Sequence, residues 1–118
     1  MQYVLMIYGN EQIFEALTPA EKVKLREEMG KFAVEMRASG RLVSGHPLQS
    51  VATSTTVRLK DGKSLVTDGP FAETKEQLGG FMVIEAADID EALNFVAKMP
   101  AASPHTAIEI RPVIPVQR

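Results

Sequence analysis

Two side chains in this sequence are of the right type for proton chemistry. Asp68 ends the run Val66-Thr67-Asp68 and is followed at once by Gly69-Pro70-Phe71. A carboxylate at a strand end, facing an apolar cleft, is partly desolvated, and its raised pKa then suits it to general acid/base work. His46 interrupts an apolar stretch as Gly45-His46-Pro47, and an imidazole that titrates near neutrality can act as acid, base or metal ligand. Each also has a simpler reading. An aspartate before Gly-Pro readily accepts backbone N–H groups in an Asx-turn, or caps a short turn begun by Pro70. A lone histidine at a strand edge is commonly a solvated surface residue. Nothing in their spacing brings the two together.

The residues after Asp68 extend the question. Glu73 and Lys75 are candidates for binding a polar substrate, with Glu73 or Glu76 available as a second carboxylate. The alternative is a short solvated turn of helix with local charge pairs worth a few tenths of a kcal/mol. Tyr8 and Phe71 are candidates for shaping a pocket around a compact, aromatic-like substrate. Arg58 and Arg111 fall on expected strands, where a guanidinium can grip an anion bidentately or pair with a neighbour such as Glu109. Gly79-Gly80 can form an anion-binding nest, but no Lys-Ser/Thr follows, so it is not a phosphate loop. Close backbone approach or a bulge explains the pair more simply. His105 lies in a Ser-Pro-His-Thr loop and reads as solvated. Two separated histidines and scattered carboxylates have no metal-ligand spacing, the six methionines read as core and interface filler, and no cofactor is called for.

Composition narrows the classes. A length of 118 residues suits one domain, spanning 1–118, with a real core. A net charge of −2 gives no support for nucleic-acid binding. The chain has no cysteine, which removes disulfides, thiolate catalysis and thiolate metal sites and fits a cytoplasmic protein. The apolar start MQYVLMIYGN has no basic flank and is too short to cross a bilayer, so it reads as a first strand.

The elements that must position these groups are legible in the pattern. Gln2 to Tyr8 is a nearly continuous apolar run, as in a strand covered on both faces. Thr18-Pro19-Ala20-Glu21 is a capping box with proline at the first helical position. Leu25, Met29, Phe32 and Met36 line one face of the helix that follows, and Gly40 is placed as its left-handed stop. Leu42 to Gln49 is a second strand, marked by Pro47 as an edge, bend or bulge. Thr53 to Leu59 and Lys63 to Thr67 flank Asp61-Gly62 as a hairpin. Gly80 to Ala86 is another apolar strand. Asp88 and Glu91 form a second capping box for a helix buried through Ile89, Ala92, Leu93 and Val96, and a last strand carries Ile108 and Ile110. The order β-α-β-(β-β)-β-α-β is an α+β, ferredoxin-like pair of split βαβ units with an extra central hairpin. Right-handed crossovers place both helices on one face of the sheet. Strands apolar on both faces then require a cover for the other, and a second copy packing sheet to sheet supplies it.

The block TDGPFAETKEQLGGF, with SGHPLQSVATSTTVRLKDGKSLV before it and VIEAADIDEALNFVAKMPAA and IEIRPV after it, resembles the DGPF-containing branch of the YCII-related family, as does the opening MQYVLMIYGNE. The resemblance spans essentially the whole chain. It implies a homodimeric α+β barrel. Members of that family are mostly uncharacterised, and those of the branch often lie beside genes for extracytoplasmic-function sigma factors. One relative is associated with dechlorination of a hydroxyquinone. In the shorter members a helix histidine and the aspartate of the DGP motif are proposed as a catalytic pair. Asp68 matches that aspartate, whereas the histidine's place falls near Met29 and the first long helix has no histidine. Two functions follow from the resemblance: a cofactor-independent enzyme of proton-transfer, lyase or isomerase type acting on a small molecule, or a non-catalytic ligand-binding or regulatory module tied to a sigma-factor system.

Overall fold

The computed structural model describes residues 1–116. The chain opens with β1 (Gln2–Gly9), a short helix α1 (Glu11–Glu15) and the long helix α2 (Pro19–Ala38). After these come β2 (Leu42–Pro47), a 3-10 turn at Val51–Thr53, and the hairpin β3 (Thr55–Lys60) and β4 (Lys63–Asp68). The chain then returns as β5 (Gln77–Glu85), α3 (Ile89–Ala97) and β6 (Thr106–Pro112). Four strands form an antiparallel-paired sheet in the order β2-β5-β1-β6, and β3 and β4 form a separate two-stranded sheet. The result is a mixed α+β fold with antiparallel sheets.

Local chemistry explains the helices. Thr18 accepts from the Glu21 amide at 3.2 Å while the Glu21 carboxylate accepts from the Thr18 amide at 3.0 Å, closing the capping box. The Thr18 amide, and then the Thr18 hydroxyl, hold the Glu21 carboxyl below its ordinary pKa. Gly40 ends α2 with φ +76°, a conformation that favours glycine. At α3 Asp88 caps the Glu91 amide at 2.9 Å, but the reciprocal bond from Glu91 is not formed, so this is a simple cap rather than a box. Asn10 caps α1 through the amides of Gln12 and Ile13; a helix this short leaves no readable periodicity in the sequence.

Strand pairing sorts the sheet's two faces. Tyr3 pairs with Ile84, Leu5 with Met82 and Ile110, and Leu42 with Ile84. These residues, with Ile110 packed against them, form the core with Phe32 of α2 and with Ala92, Phe95 and Met99 around α3, whereas Ile89 and Leu93 of that helix, expected on its buried face, are exposed. The Phe32 and Phe95 rings meet edge to face at 5.1 Å, so both helices cover the same face. On the opposite face Val4 pairs with Val83, Met6 with Phe81, and His46 with Phe81. Among the described residues no element covers these side chains, and Val4, Met6, Phe81 and Val83 remain half-buried.

The Gly79-Gly80 pair serves strand geometry. Ile7 pairs with Gly80 and Tyr8 with Leu78, so Gly79 is the extra residue of a bulge. At Gly80 a Cβ would stand 3.1 Å from the His46 carbonyl oxygen and 3.3 Å from the Pro47 Cα, so the bare backbone lets β2 pack this close. β2 is the edge strand that Pro47 implied.

The hairpin stands apart from this body. Val57, Leu59 and Val66 are 58%, 79% and 62% exposed. The radius of gyration is 16.3 Å, against about 13.5 Å for a compact chain of this length. The accessible surface is 8754 Å², roughly 2,400 Å² more than the ~6,300 Å² typical of a folded monomer of this mass.

Candidate functional site

Asp68 is the last residue of β4 and pairs with Thr55 at the base of the hairpin. Its carboxylate is exposed and accepts no hydrogen bond among the described residues, so neither the Asx-turn nor the cap is formed. Gly69 makes the turn instead. It has φ +98°, its amide donates to the Ser54 carbonyl at 2.8 Å, and its carbonyl accepts from the Thr56 hydroxyl at 2.7 Å. Phe71 follows, 76% exposed.

His46 lies on β2, on the uncovered face of the large sheet, with its ring 5.8 Å from that of Phe81. Tyr8 is half-buried at the end of β1, opposite Leu78. The two flank β5 from either side. Asp68 shares no hydrogen bond or ion pair with His46 among the described residues.

The segment from Glu73 to Glu76 is irregular rather than a turn of helix. The Thr74 hydroxyl donates to the Glu76 carbonyl at 2.6 Å, and the Gln77 side-chain amide donates to the Thr74 carbonyl at 2.6 Å. Glu73 is exposed. Lys75 lines an open cleft of about 380 Å³ together with Glu11, Val51, Thr74 and Gln77.

Glu11 is the residue that sequence reasoning missed. Its carboxylate accepts from the Ser50 hydroxyl at 3.0 Å and the Val51 amide at 2.9 Å, while its own amide donates to Gln77 Oε1 at 3.0 Å. It therefore ties the end of β1 to the turn that launches the hairpin and to the start of β5. The available signal was a helix-capping asparagine followed at once by an acidic residue in Asn10-Glu11. A second open cleft, of about 490 Å³, lies beside α3 between Arg41, Asp88, Asp90, Glu91 and Lys98.

Arg111 is committed to Glu109 at 2.7 Å, whereas Arg58 is exposed on the hairpin. His105 is exposed in its loop, its amide donating to the Ser103 hydroxyl. No group of three or more His, Asp or Glu side chains is placed to hold a metal ion among the described residues. Among them, too, no helix is long and apolar enough to cross a membrane.

A four-stranded antiparallel sheet with helices on one face, an uncovered apolar face and a projecting hairpin defines the class of protein. The family can be stated as well: the sequence model of the YCII-related domain matches residues 1–117, and the chain belongs to that family. It is also similar to an uncharacterised protein of Rhizobium meliloti (strain 1021), at 34% identity over 114 residues, covering 96% of this chain and 92% of the relative.

Proposed function

We propose that this chain is one domain of the DGPF-containing branch and that it works in the cytoplasm as a homodimer, a dimeric α+β barrel made by packing the open faces of two four-stranded sheets together. The order β2-β5-β1-β6 supports a ferredoxin-like pair of split βαβ units with an added hairpin. The observation that carries the reading is the uncovered row Val4, Met6, Phe81 and Val83, half-buried on a face that no described element covers. Pairing such faces removes them from water at about 25 cal/mol per Å².

The activity we assign to the dimer is cofactor-independent proton transfer, lyase or isomerase chemistry on a compact small molecule. Asp68 is the general acid/base: its carboxylate takes a proton from a carbon or hydroxyl and returns it at another position. In open water a carboxylate is too weak a base for this, so the reaction needs the desolvation that the second copy brings. His46 assists in the transfer, Tyr8 and Phe71 shape the pocket, and Glu73 and Lys75 hold polar groups of the substrate. A metabolite screen by thermal shift identifies the ligand, because binding to the folded state raises apparent stability. Asp68→Asn then lowers turnover with binding retained; turnover equal to wild type would refute the catalytic role.

One observation favours a second reading, a non-catalytic ligand-binding or regulatory module linked to a sigma-factor system. Met29, near the place where the shorter members carry a histidine, packs against the core, and the absence of a histidine from α2 leaves Asp68 without that partner. On this reading ligands raise the melting temperature but are recovered unchanged.

A further inference from the structure

We propose that the β3–β4 hairpin is an arm that packs its apolar face onto a second copy of this chain, and that Asp68 enters the site only there, so that the site is composed across two copies. This inference rests on the dimer proposed above. Pairing of Thr55 with Asp68, Val57 with Val66 and Leu59 with Ser64 puts all six on one face of the hairpin. The other face holds Thr56, Arg58, Lys60, Lys63, Leu65 and Thr67. The first face therefore carries the apolar row Val57, Leu59 and Val66 and ends in the carboxylate, while the second carries all three basic side chains of the hairpin together with Leu65. Isolated two-stranded hairpins are at best marginally stable in water. On the first face of this one Val57, Leu59 and Val66 are each more than half exposed, and no other described residue buries them.

Area and charge point to the same occupant. The excess of roughly 2,400 Å² per chain over a compact monomer gives roughly 4,800 Å² for a pair, inside the range of obligate homodimers. Residues Thr55 to Asp68 carry Arg58, Lys60 and Lys63 against Asp61 and Asp68, a net +1. The whole chain is −2, so the remainder is −3, and the basic side of the arm is drawn to the acidic body of another copy. Covering the apolar face strips water from Asp68 as well, which explains how a carboxylate exposed in one chain acquires the environment of a general base.

The test is sedimentation velocity on the full chain at micromolar concentration, with Val57→Glu/Val66→Glu on the apolar face, Leu65→Glu on the basic face, and Val83→Glu on the open sheet face. All the hairpin positions lie outside the core cluster, and circular dichroism confirms folding. We expect a wild-type dimer, weakened roughly 100-fold or more by the double substitution, as for loss of a central apolar anchor, and little changed by Leu65→Glu. A dimer broken by Val83→Glu but not by Val57→Glu/Val66→Glu overturns the arm and leaves the sheet-to-sheet dimer standing. The converse pattern keeps the arm and removes the sheet packing; a monomeric wild type removes both. Hydrogen exchange gives a second readout. Amides 55–68 are protected in the associated protein and lose protection on dilution, and an arm that exchanges freely at every concentration overturns the inference.

Discussion

Gly80→Ala tests the link between the glycine pair and the position of His46. The new methyl would sit 3.1 Å from the His46 carbonyl oxygen and 3.3 Å from the Pro47 Cα. Both are backbone atoms, so no flexible side chain can swing aside; the edge strand itself must move by a few tenths of an ångström. Overpacking of this kind costs about 1–3 kcal/mol, or a fall in Tm of about 4–12 °C for a chain of this size. Two glycines provide internal controls. At Gly79 the nearest atom is the Ile7 carbonyl oxygen at 3.8 Å, an ordinary contact, and at Gly30 in the middle of α2 nothing lies within 4 Å. Gly79→Ala should therefore fall within about 0.5 kcal/mol of wild type. Gly30→Ala should be more stable by roughly 0.5–1 kcal/mol through helix propensity. Urea and thermal unfolding measure all three, and the His46 ring resonances report any shift of β2. Equal stability of Gly80→Ala and Gly79→Ala, with unmoved His46 signals, would refute the claim that close strand approach requires Gly80.

Two further outcomes follow from the hydrogen bonds. The depressed Glu21 pKa means that the folded state holds its carboxylate more tightly ionised than the unfolded chain does, so its stabilising contribution is present above the ordinary value of 4.5 and disappears as pH falls through the lower folded value. Glu21→Gln should accordingly flatten the acid limb of the stability curve below about pH 4.5, and an unchanged limb would remove Glu21 from the account. Glu11→Ala should cost about 1 kcal/mol, low for bonds to a charged acceptor because the site is half open to water. It should also speed hydrogen exchange at the Val51 amide while leaving Leu5 and Ile84 protected; slow exchange at Val51 would show that the clamp is dispensable.

Features governed by short-range rules were legible in the sequence. The Thr18–Glu21 box, the stop at Gly40, the Asp61-Gly62 turn and the side of α2 on which Met29, Phe32 and Met36 meet the core each depend on a few neighbouring residues whose chemistry allows one outcome. Boundaries moved where tertiary pairing overrode local pattern. β5 begins at Gln77, although Gln77 and Leu78 precede the glycine pair, because Gly9 and Tyr8 are there to pair with them. The second capping box formed only by half, since a Glu at the right spacing supplies the opportunity for a reciprocal bond and not the rotamer.

The candidate site was less legible for a different reason. Alternation in Thr55-Thr56-Val57-Arg58-Leu59-Lys60 predicts a strand with one buried face, and the strand is there, but the chain itself does not bury that face. Periodicity records that an apolar face needs cover; it carries no information about which molecule provides it. The same holds for the sheet face of Val4, Met6 and Phe81. Asp68 lies on the first of these surfaces and His46 on the second, so neither residue's environment is set by its own sequence neighbours. An aspartate with ordinary solvation and an aspartate poised as a base have the same local sequence, Thr67-Asp68-Gly69-Pro70. What separates them is whether water is excluded from one side of the hairpin, and in the dimer we propose a second copy is the agent of that exclusion.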